Sequence, residues 1–260
     1  MKNQKLLSMN RFFYTSFAIV LFLLLGCKTE KHKFPLEKRF WDTNDYKSVT
    51  LELNYGYEDD EKLPSFDDPS TRMIVEKLTD HENYAIVLED EELGVKHRSG
   101  VAEEFFQQWK DMQDIYRARD RQDKYLYDKE MLAVWQFGLG LQLRYFKLGN
   151  DDILASSDDP NSDMTKTRVN RNIKTLISNF NIYLDEINNE NAFSNEGKNL
   201  LAEGIDKHFT ALVELYPNAD FGQLERKVNL MLEKSDSESI KESLRKLKEL
   251  IESKKSVIET

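Results

Sequence analysis

Beyond Gly100 the apolar residues recur at helical spacing almost to the end of the chain. Phe105, Trp109, Met112 and Tyr116 are separated by four, three and four residues, which predicts one face of a helix over Val101 to Arg119. Asp128 is placed to cap a helix reaching Leu148, with Gly149-Asn150 as its stop. Within it, Phe137 to Tyr145 alternates well enough to be a strand, but Leu132, Trp135, Leu139, Leu143 and Phe146 also form a helical face. The segment is long and has Val134 as its one β-branched residue, so the expectation is helix. Gly138 and Gly140 each cost about 1 kcal/mol there relative to alanine, and would let another helix come close.

A long helix is predicted from Met164 to about Glu190, with Ile173, Leu176, Ile177, Phe180, Tyr183 and Leu184 inward. Ser194 opens another through Leu200, Leu201, Ile205, Phe209 and Leu212, ending before Pro217. Phe221 to Lys234 carries Leu224, Val228 and Met231. Ser237 begins the last helix, with Ile240, Leu244, Leu247 and Ile251 on one stripe. Nearer the start the period changes. Val49, Leu51, Leu53, Tyr55 and Tyr57 alternate with Thr50, Glu52, Asn54 and Gly56, which predicts a half-buried strand. Ser70 can cap a short helix holding Met73, Ile74, Val75 and Leu78, and Tyr84 to Leu88 reads as a second strand. The fold class expected is mainly α: a helical bundle with a small N-terminal two-strand α+β element.

The first residues follow a different logic. Lys2, Lys5 and Arg11 are basic, no acid precedes Cys27, and Phe12 to Gly26 carries no charge. A basic region, a short apolar run and a small residue form a secretory signal, and the run is shorter than the roughly 20 residues of a spanning helix. Leu24-Leu25-Gly26-Cys27 resembles the lipobox of a bacterial lipoprotein. The resemblance covers only the start of the chain. It implies cleavage after Gly26, a diacylglycerol on the Cys27 thiol and acylation of the new amino group. Several acyl chains together would anchor the protein firmly, where one would hold it only marginally. Cys27 is the one cysteine of the chain, so the mature protein would have neither disulfide nor free thiol. Lys28 follows where an inner-membrane-retained lipoprotein tends to carry aspartate, so the family favours the outer membrane.

The domain reading is therefore a signal peptide over 1–26, a lipidated tether over 27–45 and one globular, mostly helical domain over 46–260. Phe34, Phe40 and Trp41 interrupt the polar tether; they dock onto the domain or lie in the lipid interface. The formal charge is −10, and loss of the three basic signal residues makes the body more acidic still. Such a body has no general attraction for phosphate backbones, which excludes a nucleic-acid partner. Aromatic residues make up 11% of the chain, too many for a disordered one.

Candidate chemistry is sparse. His32, His81, His97 and His208 are not spaced as helix pairs, and each reads as a single polar histidine. Asp159, Asn161 and Asp163 have the spacing that opens an EF-hand loop, but Met164 replaces the turn glycine and Asn170 the bidentate glutamate. Glu58 to Glu61 and Glu89 to Glu92 read as solvated acidic loops. There is no G-x-S-x-G, and Gly138-Leu-Gly140 is only a fragment of a dinucleotide fingerprint. Trp109 and Trp135 fall on inward faces. Tyr125 and Tyr127 are better placed to meet a sugar ring, although a charged connection with the rings folded back explains them as well. The sequence thus assigns no catalytic residue, metal ligand or cofactor. The expected function is a non-catalytic binding or scaffolding role for a membrane-anchored envelope lipoprotein, held through its lipid and meeting an envelope protein or glycan. The alternatives are a protein that binds or hydrolyses glycans, marked by an exposed aromatic groove with carboxylates, and a toxin-binding protective protein, marked by an acidic concave face.

Overall fold

The structure is a computed structural model that describes residues 31–117 and 124–258. Gly26 and Cys27 lie outside the described residues. A compact unit begins at Phe34; of the preceding unit, Met1–Lys33, only residues 31–33 are described. The described residues are helical, with no helix long and apolar enough to cross a membrane.

The centre is the helix predicted from Asp128. Helices α1 (Thr43–Leu51), α2 (Arg72–Leu78), α3 (Glu82–Leu88) and α4 (Val95–Met112) precede it. The central helix, α5, runs Asp128–Ala155 and packs against α4, α6 (Asp163–Leu184) and α7 (Asn195–Gly204). Leu132, Trp135, Phe137, Leu139, Leu141 and Leu143 are all buried, so the middle of the helix belongs inside, while Arg144 and Lys147 further along reach the surface. This explains the ambiguous period of 137–145: with no solvent face, a buried helix reads like a buried strand. A π-helical turn, Ile205–Phe209, links α7 to α8 (Thr210–Leu215). Helix α9 (Gly222–Lys234) and α10 (Glu238–Ile258) complete the bundle, with Ile240, Leu244, Leu247 and Ile251 of α10 buried as one stripe. Ser194 caps α7 by accepting the Gly197 N–H at 3.0 Å.

The two predicted strands are helices. Val49 to Gly56 lies in α1 and in the π-helical turn Glu52–Gly56 that continues it. Tyr46, Val49, Thr50 and Leu53 are buried, a spacing of three, four and seven, while Leu51 is 52% and Tyr55 82% exposed. The alternation counted Leu51 and Tyr55 as inward and left out Tyr46. It also missed the start signal: Asp42 accepts the N–H groups of Asn44 and Asp45, and Asp45 accepts the Asp42 N–H. Tyr84 to Leu88 lies in α3, burying Tyr84, Ala85 and Leu88 and exposing Ile86. Five residues were too few to distinguish the two periods.

Three local signals also act differently from expectation. Ser70 bonds Asp68, and Thr71 precedes α2 instead. Asp128 is the first residue of α5 rather than its cap, and its carboxylate accepts the Ser194 N–H at 2.7 Å, tying the starts of α5 and α7 together. Gly149-Asn150 does not stop α5. Asn150 is buried, donating to Tyr216 and accepting from Asn172 at 2.9 Å, and these tertiary bonds keep the helix going to Ala155.

The segment read as tether is packed from Phe34 onward. Trp41 is 0% exposed, its indole N–H donates to the Pro35 carbonyl at 2.9 Å, and its backbone N–H donates to Asn83 at 2.8 Å. Docking on the domain, rather than contact with lipid, describes this tryptophan. Replacing it tests the point: Trp41→Ala should lower the unfolding free energy by about 3–5 kcal/mol in urea titration, the cost of emptying a large buried site. A true tether residue would shift the midpoint hardly at all.

Candidate functional site

The four histidines do not all stay single. His208 lies in the π-helical turn after α7 and is 3% exposed; His81 precedes α3 and is half-buried. Their ring centroids are 6.3 Å apart. A π-helical turn shifts the register of side chains and recurs at functional sites. Gly140 of α5 makes the room: a Cβ there would stand 2.7 Å from the Tyr84 hydroxyl and 3.5 Å from His208 Cε1. The ring of Phe137 stacks on His81, 14° from parallel.

The polar groups around this pair fix its proton state. Lys207 Nζ is 3.2 Å from His81 Nε2, and Tyr84 Oη is 3.2 Å from His81 Nδ1. An ammonium can only donate, so Nε2 accepts and the ring proton sits on Nδ1, where it is donated to Tyr84. His208 Nε2 is buried without a partner. Burial, then the charges of Lys207 and Arg144, lower His81 to about 4. Burial first, with Lys207, His81 and Arg144 after it, lowers His208 to about 3. Both imidazoles are therefore neutral at pH 7. Burial also pushes the Tyr84 phenol up.

Arg144, one turn along α5 from Gly140, lies between this cluster and the surface. Its guanidinium carbon is 5.2 Å from the centre of the Tyr84 ring, and its Nε donates to Glu89 at 2.6 Å. Beyond it is a groove of about 370 Å³ between the end of α3, α4, α5 and α8. Leu88, Leu143, Leu148, Ala211 and Leu215 form its apolar part; Arg98, Arg144, Lys147, Glu89 and Glu91 supply the charges. An apolar cleft of this size with a few convergent polar groups has the form of a ligand site.

A second cleft, about 440 Å³, lies between α1 with its π-helical turn and α4. Exposed Tyr55 and Leu51 line it beside Asn54, Gln108, Asp111 and Asp114, and the buried Thr50 hydroxyl on its wall has no partner. The aromatics considered from sequence are elsewhere. Trp109 and Trp135 are buried in an edge-on pair 5.7 Å apart. Tyr125 and Tyr127 are folded back, one edge-on to Phe193 and the other accepting the Leu63 N–H. Asp159 and Asn161 close the loop before α6 on themselves, the Asn161 N–H donating to Asp159 at 2.9 Å. Glu89 is exposed, as a loop residue is expected to be, and it also pairs with Arg144.

His208 could have been found from the sequence, because it continues the stripe Leu201, Ile205, Leu212 at helical spacing. Nothing local marks His81. Comparison with family models, curated proteins and solved structures returns no match.

The neutral histidines make stability depend on pH. Unfolded histidine titrates near ~6.5. Below that the unfolded chain takes up protons that the folded chain refuses, so stability is full above pH ~6.5 and is lost as the pH falls towards about 4 and about 3. Between about pH 7 and about pH 4.5 His208 alone should lose on the order of 2–3 kcal/mol, to which His81, discounted for its partial exposure, adds less. Urea midpoints at about pH 7 and about pH 4.5 should fall less for a His81→Gln/His208→Gln variant than for the parent chain. An equal fall in both proteins would show that other groups carry the effect.

Proposed function

We propose that this chain is a cell-envelope lipoprotein, anchored through acylated Cys27, whose folded body binds another envelope component without reacting with it. The observation that carries this reading is Leu24-Leu25-Gly26-Cys27 placed after an uncharged run and a basic start. On that reading residues 1–26 are removed and the outer membrane is the favoured location. Lipid would attach at the cysteine, a few residues before the packed unit that begins at Phe34. The binding half draws support from the groove beside Arg144, which offers an apolar surface and fixed charges. A toxin-binding role, which would suit an acidic concave face, draws none from a groove with three cations.

A second reading has its own observation. The cleft at Tyr55 sets an exposed ring beside carboxylates and side-chain amides, a combination that suits the apolar face and vicinal hydroxyls of a sugar. If this is a glycan site, N-acetylglucosamine oligosaccharides should bind with saturable heat, and Tyr55→Ala should weaken them about tenfold, the worth of one stacked ring. Binding unchanged by the substitution would remove the cleft from consideration.

The anchor is tested by mass spectrometry of the protein extracted from its host membranes, beside a Cys27→Ser variant. An N-terminus at acylated Cys27, with the modification absent from the variant, is the expected outcome. A chain that keeps residues 1–26 and carries no lipid would refute it.

A further inference from the structure

Arg98 is the unusual charge in the groove. Arg144 is held by Glu89 and Lys147 by Asp151 at 2.6 Å. Arg98 has no ion-pair partner among the described residues. One of its terminal nitrogens donates to the Leu88 carbonyl at 3.2 Å, which fixes the side chain, and its Nε is buried without a partner. A guanidinium held in this way keeps donors in a planar fork that matches a carboxylate. An unsatisfied buried donor costs free energy that an incoming acceptor would recover.

The rest of the groove limits what that acceptor belongs to. Leu88, Leu143, Leu148, Ala211 and Leu215 present methyl and methylene groups and no side-chain hydrogen-bonding partner. A sugar or a peptide backbone laid against them would leave its own polar groups unpaired, whereas a hydrocarbon chain would not. Glu89 and Glu91 also face the groove and repel a multiply charged head group. With Arg144 paired to Glu89 and Lys147 to Asp151, Arg98 is the one cation of the lining without an ion-pair partner among the described residues. A single free guanidinium fits a single anionic head.

We infer that the groove binds an aliphatic monocarboxylate, its head on Arg98 and its chain along Leu143, Leu148 and Leu215. This gives a ligand class to the binding role proposed above and rests on that reading for its biological setting. The chemistry is that of a fatty acid released in the envelope.

The test uses the full chain in phosphatidylcholine nanodiscs, where it is held whether acyl chains or residues 1–26 form the anchor. Failure here is therefore distinct from failure of the lipoprotein reading. Octanoate is the probe, read by hydrogen exchange. At a concentration ten times its dissociation constant, octanoate should slow exchange about tenfold in segments 88–98 and 143–148, where opening exposes the groove. Octan-1-ol, with the chain but no charge, and acetate, with the charge but no chain, should leave those segments unchanged. Arg98→Gln should abolish the octanoate effect, and Arg98→Lys should restore part of it. Ala211→Phe, which keeps Arg98 and fills the groove, should abolish it too. Equal protection by octan-1-ol, or octanoate protection that survives both Arg98→Gln and Ala211→Phe, would overturn the proposal, as would no protection by octanoate at all.

Discussion

Helices α4 and α5 meet where α5 has no side chains. A Cβ on Gly138 would lie 2.0 Å from Cε2 of the Trp109 indole, so alanine cannot be accommodated without moving a buried ring. The indole N–H donates to the Val134 carbonyl at 3.0 Å, which fixes both its depth and its rotation. This contact sets how α4 lies along α5. Two residues further on, and on another side of the helix, Gly140 admits Tyr84 and His208 in the same manner. The groove is bounded by residues of these same elements: Arg98 from α4, Arg144 from α5, Leu88 from α3. Two glycines that look like weaknesses in a helix thus fix where the surrounding elements can sit.

Around this packed centre, buried carboxylates hold the irregular segments. Asp128 accepts the Ser194 N–H, Glu130 accepts the Phe66 N–H at 2.6 Å, and Glu190 accepts from Ser235 and Asp236. Glu186 pairs with Arg117. Each bond joins chain segments more than forty residues apart, as a disulfide could have done. Burial raises Glu130 and Glu186, the former against the Phe66 N–H and the latter against Arg117, so these carboxylates tolerate low dielectric because they are partnered. Such groups carry specificity of placement as much as stability.

How much of this could be read from the residues depended on how far the information was local. The helices with one polar face, α6, α9 and α10, were legible because Leu176, Phe180 and Tyr183, or Ile240, Leu244 and Leu247, declare a single stripe. Helix α5 was legible only in part. Buried all round over 137–143, it has no stripe there, and its end past Gly149-Asn150 depends on Tyr216 and Asn172, both distant in sequence. Helix α1 was misread because an exposed Leu51 and Tyr55 imitate alternation; apolar residues on a surface are common and carry no label. Trp41 was ambiguous for a similar reason, since its partner Asn83 is 42 residues away. The groove was not legible at all. Arg98, Arg144 and Leu215 share no spacing, and only the meeting of helices α4, α5 and α8 brings them together.

The functional account and the architecture therefore rest on the same contact. If Trp109 is seated on Gly138 as described, the two residues must be energetically coupled. A double-mutant cycle of Gly138→Ala and Trp109→Phe, followed by urea unfolding, measures that coupling directly. The account predicts that Gly138→Ala costs about 1–3 kcal/mol in the parent chain, and at least about 1 kcal/mol less once the indole has been trimmed by Trp109→Phe. Costs that add to within about 0.5 kcal/mol would mean that the two side chains do not constrain each other. The seat of α4 on α5, and with it the placement of the groove, would then be wrong.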